Sequence, residues 1–180
     1  MRAVDLTVDH VILQPYSQVH DRSTVTWLNS RELRESFGIT QTITLESHRT
    51  WIESLKDTII WAICVADRGH CGNVLVHCNR RHHSGYFQIY LGDKKARGNG
   101  VGRRTLQAVL DHLFFELDLH RVWLHTLLDN TAAEQLYVGA GFVSEGIERE
   151  SILRSGHFAS QHRWSILANE WRQRRGKEDR

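Results

Sequence analysis

Between Ile59 and Leu91 the chain alternates short β-rich apolar runs with tight polar breaks, and after Val101 the apolar positions switch to a spacing of three and four. Ile59 to Val65 is dominated by β-branched and aromatic residues and is broken by Asp67-Arg68-Gly69. Gly72 to Cys78 and Gly85 to Leu91 follow as two further runs of the same kind. Three consecutive short strands with tight connections predict an antiparallel meander. In the next stretch, Leu106, Val109, Leu110, Leu113, Phe114 and Leu117 line one face of a helix running from Val101 to Leu117. A strand-like run near Val122 to Leu128, a helix from Thr131 to about Ala140 and strands near Phe142–Glu148 and His162–Leu167 complete the second half. Thr131 with Glu134 three residues on predicts a capping box, and Gly141 suits the helix end.

The first half is less periodic. Val11 to Gln14 predicts a first strand, and the residues from Tyr16 predict one or two helices ending near Phe37-Gly38. Thr44, ahead of Leu45, Glu46 and Ser47, predicts an N-cap for a helix over about 45–56 with Trp51, Ile52 and Leu55 as its apolar positions. Pro15 is the one proline, and no low-complexity linker or internal repeat marks a boundary, so residues 1–171 are expected to form one domain. Residues 172–180 carry no apolar residue and are expected to be a solvated charged tail. Strands, then strand-helix-strand-helix-strands, predict an α+β fold with a mixed sheet of six to seven strands and about four helices.

Composition narrows the function. The chain has 180 residues, 41% of them hydrophobic, which suits one well-buried core. Lys and Arg (23) nearly balance Asp and Glu (21), so the molecule as a whole has no strong field for nucleic acid or a membrane surface. Basic side chains do gather at Lys94, Lys95, Arg97, Arg103 and Arg104, which suits a ligand with several phosphates or a solvated basic loop. Three cysteines (Cys64, Cys71, Cys78), with no apolar signal segment ahead of them, point to a reduced, cytoplasmic setting. Cys71, Cys78, His82 and His83 match no common zinc spacing, so no metal is expected and buried thiols are the simpler reading.

The segment Arg97 to Gly102 carries the chemistry. Glycines at 98, 100 and 102 leave backbone N–H groups unshielded at a helix start, where they lack internal partners and carry partial positive charge. A P-loop would end in Gly-Lys-Ser/Thr, whereas this turn continues Arg103-Arg104. A dinucleotide fingerprint would space its glycines as Gly-x-Gly-x-x-Gly, and here they are Gly-x-Gly-x-Gly. Arg97-x-x-Gly100-x-Gly102 after a strand resembles instead the acetyl-CoA signature of the Gcn5-related N-acetyltransferases (GNAT). Asn130 to Phe142 is similar to that family's second motif, with Asn130, Ala133, Leu136, Tyr137, Gly141 and Phe142 in place. Trp27 to Asn29, Ile43 to Ile52 and Glu170-Trp171 look like the ribosomal-protein and nucleotide-aminosugar branch.

The resemblance implies a GNAT-like, mostly antiparallel sheet and acetyl transfer from acetyl-CoA to a primary amine by direct attack in a ternary complex, with no cysteine nucleophile. It implies donor binding by Ile89, Tyr90 and Leu91, by Arg97, Gly98, Asn99, Gly100, Val101, Gly102 and Arg103, and by Asn130 and Tyr137. Asn130 has helix capping as its alternative role. Tyr137 is implied as the general acid toward the CoA thiolate, with packing as its alternative. Many relatives place a carboxylate where Tyr86 stands, so the base is left to an ordered water, Glu46, His48 or no group, and His48 is expected on the helix surface. Trp27, Asn29, Phe37 and Tyr86 are implied as acceptor-binding residues for a small-molecule or peptide amine, either a protein N-terminus or an amino sugar. Polyamines are disfavoured because Glu32, Glu35 and Glu46 are few and mixed with Arg31 and Arg34. A homodimer is compatible with this reading. So is a non-catalytic CoA-sensing module, since Tyr86 replaces the carboxylate.

Overall fold

The computed structural model describes residues 3–178, in which eight strands form one sheet and six α-helices pack around it. In chain order these are β1 (Leu6–Val8), β2 (Val11–Pro15), α1 (Asp21–Leu28), α2 (Arg31–Phe37), α3 (Leu45–Ser54), β3 (Thr58–Val65), β4 (Gly69–Asn79), β5 (Ser84–Leu91), α4 (Val101–Asp111), β6 (Arg121–Leu127), α5 (Thr131–Ala140), β7 (Val143–Arg154), β8 (His157–Leu167) and α6 (Ala168–Glu178). The strand order is β1-β2-β3-β4-β5-β6-β8-β7. Only β5 and β6 run parallel, and they pair over three positions, Ser84 with Arg121, Gly85 with Val122 and Tyr86 with Trp123.

That short pairing decides the architecture. Beyond Tyr86, β5 continues on β4, with Gln88 opposite Leu75 and Leu91 opposite Gly72, while β6 continues on β8. The two central strands therefore diverge, and the β5 edge from Phe87 to Leu91 faces an opening. Unpaired backbone groups at such an edge are a template for another extended chain.

The main core lies on one face of the sheet. Val101, Leu106, Val109 and Leu110 of α4 are buried there with Phe87, Val122 and Leu124, each such side chain contributing about 1.5–3 kcal/mol relative to exposure. Strands β3 and β4 are covered on both faces, which explains their nearly continuous apolar runs. On the opposite face α1, α2 and α3 cover only the β3–β5 half, where Leu33, Leu75 and Tyr90 form a smaller cluster with Trp27, Leu28, Phe37 and Ile60.

Several expectations are revised. The sheet has eight strands rather than six to seven, because a short strand, β1, precedes the expected first strand and pairs with it as a hairpin. Helix α5 is capped by Asn130, whose side chain accepts from the Ala133 N–H at 3.1 Å, in place of the Thr131–Glu134 box. The helix expected to reach Leu117 ends its α-helical part at Asp111 and finishes in a π turn over His112–Glu116. Of the residues expected as a solvated tail, 172–178 form the end of α6, which is tethered by charge: Arg172 donates to the Phe114 carbonyl at 2.9 Å, and Arg175 pairs with Asp111 at 3.0 Å, while 179–180 lie outside the described residues. A run without apolar residues can still dock where guanidinium groups find carbonyls and carboxylates.

Candidate active site

Helix α4 starts where the glycine turn requires backbone that side chains rarely adopt. Gly98 and Gly100 have φ of 77° and 75°, and Gly100 is the N-cap of α4. A Cβ on Gly100 would lie 2.3 Å from Arg104 Nη1, because that side chain folds over the turn to donate to the Asn99 carbonyl at 3.2 Å and to Asp9 at 2.7 Å. No side chain or loop carbonyl among the described residues meets the amides of Gly98 to Arg103. A cluster of free N–H groups at the positive end of a helix dipole is an anion cradle. The charged neighbours contribute unequally. Arg97 is turned away, donating to the Leu91 carbonyl at 3.1 and 2.7 Å and pairing with Glu32, so it ties the end of β5 to α2. Arg103 is exposed beside α5.

The cradle stands beside the open edge of β5. Ile89 and Leu91 pack toward the main core, whereas Gln88 and Tyr90 point to the other face. Below the edge, on the core face, Tyr137 of α5 is buried edge-on against Phe87 and Phe142, with centroids 6.4 and 5.4 Å away. Its hydroxyl has no hydrogen-bond partner among the described residues. Burial raises its phenol above the ordinary range, so it holds its proton at neutral pH.

Above the edge is a pocket of about 400 Å³. Its walls are Leu28, Phe37, Ile39, Ile43, Trp51, Ile52, Ile60 and Leu75, with Tyr16, Thr24, Ser47, His48, Asn73, Gln88 and Tyr90 as its polar points. No Asp, Glu, Lys or Arg lines it. Tyr90 is held upright by Asn73, whose amide donates to its hydroxyl at 2.6 Å and to Thr24 at 2.8 Å, and burial pushes the Tyr90 phenol up to about 12.

The acceptor residues expected from the sequence scatter. Phe37 lines the pocket and meets Tyr90 edge-on at 5.7 Å. Asn29 stands behind the wall, clamping Ile43 through both its backbone groups at 2.7 and 2.9 Å. Trp27 lies over Gly92, where a Cβ would be 2.0 Å from its ring, and beside His70 at 4.8 Å. Tyr86 is on the same sheet face but outside the pocket, between His77 and Trp123 in an open cleft next to Arg163. Its alternation with Gln88 and Tyr90 puts it on the right face, but two residues along β5 carry it toward the other end.

His48 reverses its expectation. It is 3% exposed, its Nε2 is 2.9 Å from the Tyr16 hydroxyl, and that hydroxyl donates to Asp21 at 3.1 Å. Asp21, buried in the first turn of α1, also accepts from Arg49 at 2.8 Å. Sequence reasoning missed Tyr16, Asp21 and Trp51. The one available signal was the spacing of His48, Trp51 and Ile52 on a single face of α3. Glu46 is exposed on α3, away from this cluster. Cys71, by contrast, donates to the Ile63 carbonyl at 3.2 Å, and burial pushes its thiol to about 12, which leaves it unsuited to nucleophilic attack.

Comparison with known proteins places these features in context. The acetyltransferase (GNAT) domain family matches residues 10–143. A spermidine N(1)-acetyltransferase of Vibrio cholerae is 33% identical over 97 residues, covering 54% of this chain and 56% of that protein. The Bacillus subtilis protein named probable N-acetyltransferase YjcK is 31% identical over 81 residues, 45% of each chain. The chain thus spans about half the length of the curated relatives it matches. A crystal structure of spermidine N-acetyltransferase from Vibrio cholerae in complex with CoA and spermine superposes with a TM-score of 0.83 at 23% identity, over 90% of this chain and 98% of that one. These matches do not support the ribosomal-protein and nucleotide-aminosugar branch expected from the sequence. The segments that suggested it have structural work instead: Asn29 holds Ile43, and Trp171 is buried with its indole N–H on Asp111 at 2.9 Å.

Proposed function

The chain belongs to the acetyltransferase (GNAT) domain family, and from that membership we propose that it is an acetyl-CoA-dependent N-acetyltransferase for a primary amine. The observation that carries this reading is the alignment of three features along one strand edge: bare amides of Gly98 to Arg103, the unpaired Phe87–Leu91 edge of β5, and an apolar-walled pocket on the far face. The cradle suits the diphosphate, the β5 edge suits the pantetheine amides as an added strand would, and Tyr137, packed below that edge against Phe87, is the candidate proton donor to the departing sulfur. Acetyl-CoA, when bound, supplies the thioester carbonyl. Tyr137 holds a proton for the departing thiolate, and a β5 N–H supports the oxyanion. Proximity within the ternary complex supplies several kcal/mol of the barrier lowering.

The pocket also bears on the acceptor. With aromatic and aliphatic walls and no fixed charge, it favours a monoamine on an apolar or aromatic body, including a peptide whose first side chain is apolar. A nucleotide amino sugar would leave hydroxyls and phosphates without partners on those walls. A second reading, a polyamine acceptor, is favoured by the likeness to spermidine N(1)-acetyltransferase.

Thiol release from acetyl-CoA across 2-phenylethylamine, a peptide with an N-terminal leucine, spermidine and glucosamine tests both, alongside calorimetric titration with acetyl-CoA. Turnover of the first two above the others is expected. Preference for spermidine selects the second reading. Donor binding without turnover of any amine turns the assignment to a sensing module, and absence of donor binding removes it.

A further inference from the structure

The pocket contains one proton acceptor whose tautomer is set by its neighbours, and this deepens the acetyltransferase reading, on which it rests. Asp21 has both oxygens engaged: Oδ2 accepts from Arg49 at 2.8 Å and Oδ1 from the Tyr16 hydroxyl at 3.1 Å. Tyr16 has only one proton, and it points at that carboxylate. With that proton on the carboxylate, the His48 tautomer protonated at Nε2 donates to the same hydroxyl oxygen, 2.9 Å away. The ring's remaining lone pair belongs to Nδ1, which has no hydrogen-bond partner among the described residues, and the ring lines the acceptor pocket. We propose that His48 Nδ1 is the general base that deprotonates the acceptor amine, oriented by a Tyr16–Asp21–Arg49 relay that no sequence motif marks.

The step balances in the following way. Nδ1 takes one proton from the bound ammonium and passes it to solvent. The freed amine lone pair forms the C–N bond as the C–S bonding pair leaves with sulfur, which takes the Tyr137 proton. The second amine proton, lost as the amide forms, restores the phenol. Two groups on opposite sides of β5 thus handle the two protons.

The titratable and charged groups around His48 are Tyr16 after β2, Asp21 of α1, Arg49 of α3 and Tyr90 across the pocket, with His20 beyond Tyr16 at a ring distance of 5.3 Å. Burial lowers the His48 imidazole below its ordinary value, ahead of the opposing pull of Asp21. The base form is therefore populated at neutral pH, and kcat/KM should fall only as pH drops through that lowered value.

The decisive measurements are a pH profile and a tautomer assignment. His48→Gln should lower kcat/KM by about 10²-fold or more and abolish the acid limb, while calorimetry shows acetyl-CoA affinity unchanged. Tyr16→Phe, which removes the acceptor for Nε2–H, should keep most turnover at high pH and move the acid limb downward; a merely structural Tyr16 would leave the limb in place. Nitrogen-15 NMR of the wild-type protein should find Nε2 protonated and Nδ1 bare. A protonated Nδ1, or a His48→Gln enzyme that keeps the wild-type rate and limb, overturns the proposal. If wild-type protein binds acetyl-CoA but acetylates neither 2-phenylethylamine, the N-terminal leucine peptide, spermidine nor glucosamine, the transferase reading fails and the base with it, whatever the tautomer.

Discussion

The two sides of β5 are built from different materials. On the side we assign to the donor, the proposed binding groups are backbone amides of six consecutive residues, Gly98 to Arg103, together with the bare edge of Phe87–Leu91. The acceptor side is made of side chains from Tyr16, α1, α2, α3, β3, β4 and β5, brought together across some seventy residues. Backbone recognition suits a ligand part that never varies, because amides have one chemistry. Side-chain recognition suits a part on which relatives differ, since each wall residue can change without disturbing the helix mount.

That contrast predicts how each side breaks. The largest effect belongs to the one side chain assigned to chemistry on the donor side. Tyr137→Phe should lower kcat by roughly 10²–10⁴ with acetyl-CoA affinity nearly unchanged, measured by steady-state thiol release and calorimetry; an unaltered rate would reduce Tyr137 to a packing residue between Phe87 and Phe142. Next, Gly100→Val forces a β-branched residue to positive φ and drives its Cβ into the Arg104 guanidinium. Acetyl-CoA binding should weaken by about 100-fold while the thermal midpoint moves by only a few degrees, as the turn is exposed and the core of α4 stays intact. A variant that still binds normally would detach the cradle from the donor. The smallest effect should come from Phe37→Ala in the acceptor wall. KM for the preferred amine should rise by about tenfold, with donor affinity unchanged, since the lost contact is uniform binding of one apolar group. Loss of donor binding there would erase the separation between the two sides.

Local signals served the donor side well for a physical reason. Glycines at positive φ, a helix with one apolar face and a strand before it are all short-range features, and Gly98, Gly100 and the α4 core positions lie where their spacing predicts. Arg97 shows the limit of such reasoning. Its place in the motif suggests a phosphate ligand, yet its guanidinium ties Leu91 to Glu32, two partners far apart in sequence. Asn130 likewise serves as the cap of α5, the local one of its two proposed roles.

On the acceptor side, sequence distance hides the answer. Asp21, Tyr16, His48 and Arg49 lie in three segments, and the polar character of His48 and Arg49 on α3 reads as surface until Asp21 is seen beneath them. Trp27 and Asn29 were sensible choices by residue type, but one wedges against Gly92 and the other pins Ile43. Tyr86 lies on the pocket's face of the sheet but beyond its rim, by its position along β5. The meander and the glycine-capped helix were legible in the chain because periodicity and backbone conformation act over a few residues, and the family was legible through the resemblance of two short motifs. Which side chains share the pocket, that its lining carries no carboxylate, and that His48 is buried against Tyr16 and Asp21 emerge only from the folded arrangement, because burial and hydrogen-bond partners are set by neighbours distant along the chain.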